Sequence, residues 1–140
     1  MNEVKIIFTL DKDARIYKKI VNYGLEGTIK LVGKLKYEEV LRYYKSSDIV
    51  LFPSYVETFG LPLIEASYFK KNIIVSDCSY SREVLNGYKR VDFIQYNDAI
   101  SWGNAMIQNI NLHCDDNEVS IPNNGWKNVF DLIDNLVQGH

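Results

Sequence analysis

The chain has 140 residues, 46 % hydrophobic and 24 % charged, which is ordinary composition for about one globular domain. This excludes a disordered, collagen-like or long coiled-coil chain, and a chain of this length can bury ~two thirds of its unfolded surface. Lys plus Arg is 16 and Asp plus Glu is 18, a net charge of −2, so no basic excess supports a nucleic-acid partner.

The segment VKIIFTL at 4–10 is a short apolar run rich in β-branched residues and reads as a strand. Asp11 and Asp13 then offer helix-start chemistry, and Ile16, Tyr17, Ile20, Val21 and Leu25 recur at helical spacing up to Gly24 and Gly27. TIKLVG at 28–33 is a second strand ending at a glycine. Tyr37, Val40, Leu41 and Tyr44 form the stripe of an amphipathic helix. DIVLFP at 48–53 is apolar without alternation, the pattern of a strand buried on both faces. The loop SYVETFG leads into a helix from about Leu61 to Phe69, with Pro62 in its first turn, where a missing N–H does no harm.

NIIVSD at 72–77 reads as another buried strand, followed by a short helical piece near Ser81–Leu85 and a strand at 91–96. Asn97 or Asp98 caps a helix running to about Ile110. The stretch 111–125 is polar and turn-rich and reads as a loop, and a last apolar stripe runs from Trp126 to Val137. Residues 4–110 thus form a βα core, with 126–138 as a C-terminal helix of a single partial domain. Repeated strand–helix alternation implies an α/β fold: a Rossmann-like parallel sheet of about five strands with helices on both faces.

Cys78 and Cys114 are too few for a disulfide framework, lack metal-site spacing and read as free thiols. His113 beside Cys114 has no further ligands at sensible spacing, so no metal site is expected. No apolar run approaches the ~18–20 residues of a membrane span, and MNEVKIIF lacks a secretory layout, which makes the cytoplasm the default. Ten tyrosines are many for this length; they read as scattered half-buried rings, or in part as a surface that a partner covers.

In open α/β sheets ligands bind past the carboxyl ends of the strands, and the richest such loop is Pro53 to Ala66. A helix start there leaves unpaired N–H groups and a partial positive charge, and Gly60 lets an anion such as phosphate approach the backbone. Glu65 lies about one turn further in, where a carboxylate can accept two hydrogen bonds from a ribose diol. Glu57 sits on the loop facing the crevice. Spacing alone leaves a second account open for each glutamate: an acid in the first turns of a helix stabilises the dipole by ~0.3–1 kcal/mol. Arg82 has the same two readings, a phosphate contact or a surface cation.

Glu57-Thr58-Phe59-Gly60-Leu61-Pro62-Leu63-Ile64-Glu65-Ala66 resembles the E-x7-E signature of group 1 (retaining, GT-B) glycosyltransferases. SSDIVLFPSYVETFG, KLVGK at 30–34, IIVSD followed by SREVL, and NGWKNVFDLI resemble that family's neighbouring stretches in the same order, so the likeness runs over nearly the whole chain. It implies the C-terminal, donor-binding domain of a two-domain enzyme that transfers a sugar from a nucleotide diphosphate sugar to a glycan or lipid-linked acceptor, with retention at the anomeric carbon. Carried over residue by residue, Glu65 takes the ribose hydroxyls, and Phe59, Gly60 and Leu61 present backbone N–H groups to the sugar and diphosphate. Glu57 lies by the donor sugar as the catalytic position, and Gly33, Lys34 and Leu35 border the base. The resemblance implies no metal and no cofactor beyond the nucleotide sugar, and attachment at most peripheral to the inner membrane through the parent enzyme.

The chain departs from the family in three places. Lys70 and Asn72 stand where Gly and Pro are usual, and CSYSRE replaces a loop with a glycine pair. VKIIFTL aligns with the second strand of the family's domain, which implies that the first strand–helix unit, its basic pair and the acceptor-binding domain are not in this chain. In the order 3-2-1-4-5-6 the missing strand is central. Two outcomes are expected: the strands at 4–10 and 48–53 pair directly, or a second chain covers the exposed edge. The fragment is then inactive on its own and prone to self-association. The alternatives are a stand-alone nucleotide-binding module without catalysis, and a protein-interaction domain that binds no nucleotide.

Overall fold

A computed structural model describes residues 4–111 and 127–139, so the expected loop at 111–125, together with His113, Cys114, Trp126 and His140, lies almost wholly outside the described residues. The backbone divides into two compact units, Met1–Val40 and Leu41–His140.

The first unit holds β1 (Ile6–Phe8), α1 (Ala14–Asn22) and β2 (Ile29–Leu31), with β1 and β2 parallel and Ile7 opposite Lys30. The Asp13 carboxylate accepts the Arg15 N–H at 2.7 Å, satisfying one of the orphan donors that every helix start leaves. Ile20 is the buried anchor of α1. Helix α2 (Tyr37–Ser46) begins at the end of this unit, and it starts without a Ser or Thr cap. Glu39 compensates by reaching back to accept the Lys36 N–H at 2.9 Å, half of a capping box.

The second unit carries β3 (Ile49–Phe52), α3 (Leu61–Tyr68), β4 (Asn72–Ser76), α4 (Ser79–Val84), β5 (Val91–Ile94), α5 (Ala99–Asn111) and α6 (Lys127–Gln138). Its sheet has the order β3-β4-β5, all parallel. Every residue of β4 is buried, as a central strand covered on both faces requires. Side chains alternate along a strand. Ile73 and Val75 therefore join Leu63, Ile64, Ala66, Val84, Leu85 and Tyr88 in the core beneath α3 and α4. Ile74 points the other way, to the face over which α5 lies with Ala105 buried. Asp98 caps α5, accepting from the Ser101 N–H at 3.0 Å and the Ser101 hydroxyl at 2.6 Å, and these bonds hold its carboxyl below the usual range. Helix α6 docks on α3 through Phe130, stacked on Tyr68, and through the Tyr68 hydroxyl, which donates to Asp134. Burial and that carboxylate push the Tyr68 phenol up to about 12.

The α/β architecture with parallel strands and helices on both faces is as expected, and the five strands are divided into sheets of two and three. Within the first unit β1 pairs with β2, and within the second β3 pairs with β4. In the order β3-β4-β5, β3 is an end strand. Its four residues are half-buried, where the apolar run at 48–53 predicts burial on both faces.

Lys70 has φ +54, the left-handed conformation that closes α3 while the Lys71 N–H returns to the Ala66 carbonyl at 3.0 Å. This is the turn that the departure at position 70 puts in question. The lysine adopts the glycine geometry, at the strain that a Cβ brings there.

Candidate functional site

Strand β3 ends at Phe52, and residues Pro53–Gly60 carry the chain to the start of α3. Two hydrogen bonds shape the loop. The Ser54 hydroxyl donates to the Val56 carbonyl at 2.8 Å, and the Tyr80 hydroxyl of α4 donates to the Ser54 carbonyl at 2.6 Å. Burial pushes the Tyr80 phenol well above its ordinary value; Cys78 and the charge of Glu57 add to the shift, and the bond to Ser54 opposes it. Tyr80 thus stays protonated and pins the loop to α4 across 26 residues of sequence. Nothing in the sequence distinguishes it from the other nine tyrosines.

At the head of α3, Gly60 is buried with φ +64 and ψ 28. A Cβ there would lie 3.1 Å from a Val84 methyl, so glycine is required both by backbone conformation and by close packing on α4. Its carbonyl accepts from the Leu63 N–H at 2.9 Å, and no side chain caps the helix. Phe59 is 71 % and Leu61 44 % exposed, while Gly60 between them is buried. Glu65 is only 4 % exposed, one turn into the helix, and does not point into bulk water. Glu57 is half-buried and accepts the Thr58 N–H at 2.8 Å, which holds its carboxylate at the loop.

The second unit therefore brings Glu57, Phe59, Gly60, Leu61 and Glu65 together on one loop and helix. Gly33, Lys34 and Leu35 belong to the first unit, directly after β2. Gly33 has φ +70, and a Cβ on it would come within 2.9 Å of the Asp11 carboxylate, so the turn after β2 closes against the turn after β1. Leu35 is half-buried and Lys34 exposed.

At the C-terminal end of β4, Arg82 makes a two-pronged pair with Asp77, at 2.5 and 2.9 Å, and lies over the Phe93 ring at 4.6 Å. Arg82 holds the Asp77 carboxyl below the usual range. An exposed pair of this kind adds little stability. Beside it the Ser76 hydroxyl is buried without a hydrogen-bond partner among the described residues, while the Ser76 carbonyl accepts from the Ser81 hydroxyl at 2.7 Å.

Among the described residues no helix is long and apolar enough to cross a membrane.

The sequence profile described as "Glycosyl transferases group 1" matches residues 9–121. Among curated proteins, the chain is 30 % identical over 92 residues to the O-antigen chain mannosyltransferase RfbU of Salmonella typhimurium, covering 65 % of this chain and 25 % of that protein. It is 27 % identical over 92 residues to the uncharacterized glycosyltransferase MJ1178 of Methanocaldococcus jannaschii, covering 63 % of this chain and 26 % of the relative. The chain thus spans about a quarter of the length of the curated relatives it matches. A sucrose-phosphate synthase from Thermosynechococcus elongatus has a similar fold, with a TM-score of 0.66 at 23 % identity, over 77 % of this chain and 29 % of that one. The profile match takes in the β3–α3 loop, the glycine at the head of α3 and both glutamates, and it extends over more than half the sequence: the chain belongs to the group 1 glycosyl transferase family, with a GT-B, Rossmann-like fold.

Proposed function

We propose that the chain is the donor-binding part of a retaining glycosyltransferase, of hexosyltransferase type, that moves a sugar from a nucleotide diphosphate sugar to a glycan or lipid-linked acceptor. The observation that carries this reading is a buried carboxylate, Glu65, one turn inside a helix whose start has no side-chain cap and is flanked by the exposed residues Phe59 and Leu61. An uncapped helix start attracts anionic oxygen. A carboxylate set just behind it accepts hydrogen bonds from a vicinal diol. A nucleoside diphosphate carries both groups.

In this reading the Phe59, Gly60 and Leu61 amides face the diphosphate and sugar, and Glu65 holds the ribose. Glu57, restrained by its bond to the Thr58 N–H, lies beside the donor sugar, where its charge offsets the positive character that develops at the anomeric carbon. Gly33, Lys34 and Leu35 border the base. No metal or cofactor is assigned to the step. The likeness to RfbU, an O-antigen chain mannosyltransferase, supports a role in surface polysaccharide assembly. We place that role in the cytoplasm, with any membrane attachment supplied by the parent enzyme.

The acceptor-binding domain is assigned to a polypeptide beyond these residues. The 140-residue chain is accordingly inactive alone: it binds donor nucleotide and transfers no sugar. Incubation with radiolabelled nucleotide diphosphate sugars and lipid-linked acceptors, read by product chromatography, checks this. Turnover by the purified chain would overturn the assignment of a separate acceptor domain.

A further inference from the structure

Helix α4 touches the Pro53–Gly60 loop at two points. Near its start, the Tyr80 hydroxyl donates to the Ser54 carbonyl at 2.6 Å. At its end, Val84 meets the head of α3, where a Cβ on Gly60 would lie 3.1 Å from a Val84 methyl. Glu57 is three residues from Ser54 and three from Gly60, midway between these anchors. Its own bond to the Thr58 N–H at 2.8 Å is internal to the loop, as is the bond from the Ser54 hydroxyl to Val56 at 2.8 Å. Neither ties the loop to the rest of the unit. Tyr55 rests on Tyr96 with ring centroids 4.7 Å apart, a ring contact that fixes direction less strictly than a hydrogen bond. The Tyr80 anchor is itself firmly held. The fully buried Ser81 hydroxyl bonds the Ser76 carbonyl at the end of β4 at 2.7 Å and receives the Cys78 N–H at 3.2 Å, which locks the first turn of α4 to the sheet. The charge of Glu57 is among the causes that push the Tyr80 phenol up, so carboxylate and hydroxyl lie within electrostatic reach of each other.

We propose that Tyr80 is a positioning residue for Glu57: its bond to Ser54 sets where the Glu57 carboxylate stands and thereby governs how the sugar half of a nucleotide diphosphate sugar is held. The diphosphate half depends instead on the head of α3, which the contact of Gly60 with Val84 fixes. The sugar's place beside Glu57 rests on the function proposed above, whereas the mechanical link between Tyr80 and Glu57 does not. Removing the hydroxyl keeps the ring and the Val84 contact. The stretch from Ser54 to Glu57 is then released, and the helix start is not.

Tyr80→Phe tests this, with Tyr88→Phe as the matched control. Tyr88 donates an equally short bond, 2.6 Å, to the Lys71 carbonyl, at the opposite end of β4 from the loop. Calorimetric titrations use uridine diphosphate and uridine diphosphate glucose, then guanosine diphosphate and guanosine diphosphate mannose. In Tyr80→Phe the ratio of nucleotide-sugar to nucleotide affinity falls ~5-fold, the scale of one neutral hydrogen bond, while affinity for the bare nucleotide is kept. Tyr88→Phe changes neither. Amide order parameters of the free chain at 55–58 supply a second readout: they stay near ~0.85 in wild type and Tyr88→Phe and drop toward ~0.6 in Tyr80→Phe. An unchanged ratio, an equal loss for nucleotide and nucleotide sugar, or order parameters that match wild type would overturn the proposal. A wild-type chain that binds none of these compounds overturns the function proposed above, and the sugar half of this inference with it; the order parameters then still decide whether Tyr80 holds Glu57 in place.

Discussion

Replacing Glu65 by Gln lowers the affinity for uridine or guanosine diphosphate by ~10–100-fold and leaves the far-UV circular dichroism and cooperative unfolding intact. The size follows from what is removed. A hydrogen bond to a charged group contributes ~1.5–3 kcal/mol, and each ~1.4 kcal/mol is tenfold in affinity. Glutamine is nearly isosteric, so the cavity and packing around position 65 are kept while the anionic acceptor is lost. Half of a diol's demand can still be met by the amide oxygen, which is why the loss stays within two decades. The competing account treats Glu65 as a helix-start acid that serves the fold. That account predicts the reverse: lower stability, because the residue is only 4 % exposed, with nucleotide affinity unchanged in the folded fraction. Calorimetric titration and urea unfolding of the same sample separate the two.

Gly60→Ala destabilises the chain by ~1–3 kcal/mol, the usual cost of a non-glycine residue held in the left-handed region. Two independent features lead to this. The backbone has φ +64, and the new methyl would sit 3.1 Å from Val84, which is itself buried at the end of α4 and has little room to retreat. Gly103→Ala is the matched control. It lies in the body of α5, a Cβ there meets nothing within 4 Å, and helix propensity favours alanine by ~1 kcal/mol. Urea denaturation should thus move in opposite directions for the two substitutions. Equal effects would mean that the head of α3 relaxes freely, and the rigid anion-facing turn would lose its basis.

Gly60 also shows what a sequence can and cannot convey. The spacing Glu57, Gly60, Glu65 after an apolar run identifies a strand–loop–helix, because turn chemistry and helix periodicity are local. The reason for the glycine is not local. It includes Val84, 24 positions later, and sequence offers only the anion's approach as an explanation. Asp98 was legible as a cap because the residues that it serves follow within three positions. Tyr80 was not legible, since its bond to Ser54 depends on β3 and β4 being neighbours with α4 folded back over them. The partial burial of β3 is also not local. An unbroken apolar run reports what the strand tolerates, whereas burial depends on what packs around it, and β4 is its ladder partner among the described residues. The position of Lys70 shows the opposite case: a residue unsuited to φ +54 holds it because the closing bonds of α3 over-determine the turn.

The central claim is that a nucleoside diphosphate settles at the head of α3, against main-chain N–H groups, with its ribose on Glu65. Backbone amide spectra of the isotope-labelled chain, titrated with uridine and guanosine diphosphates, test it most directly. The account predicts saturable shifts that are largest at Phe59, Gly60 and Leu61, extend to Glu65, and diminish in Glu65→Gln. Shifts confined to other parts of the chain, or none at saturating nucleotide, would contradict it.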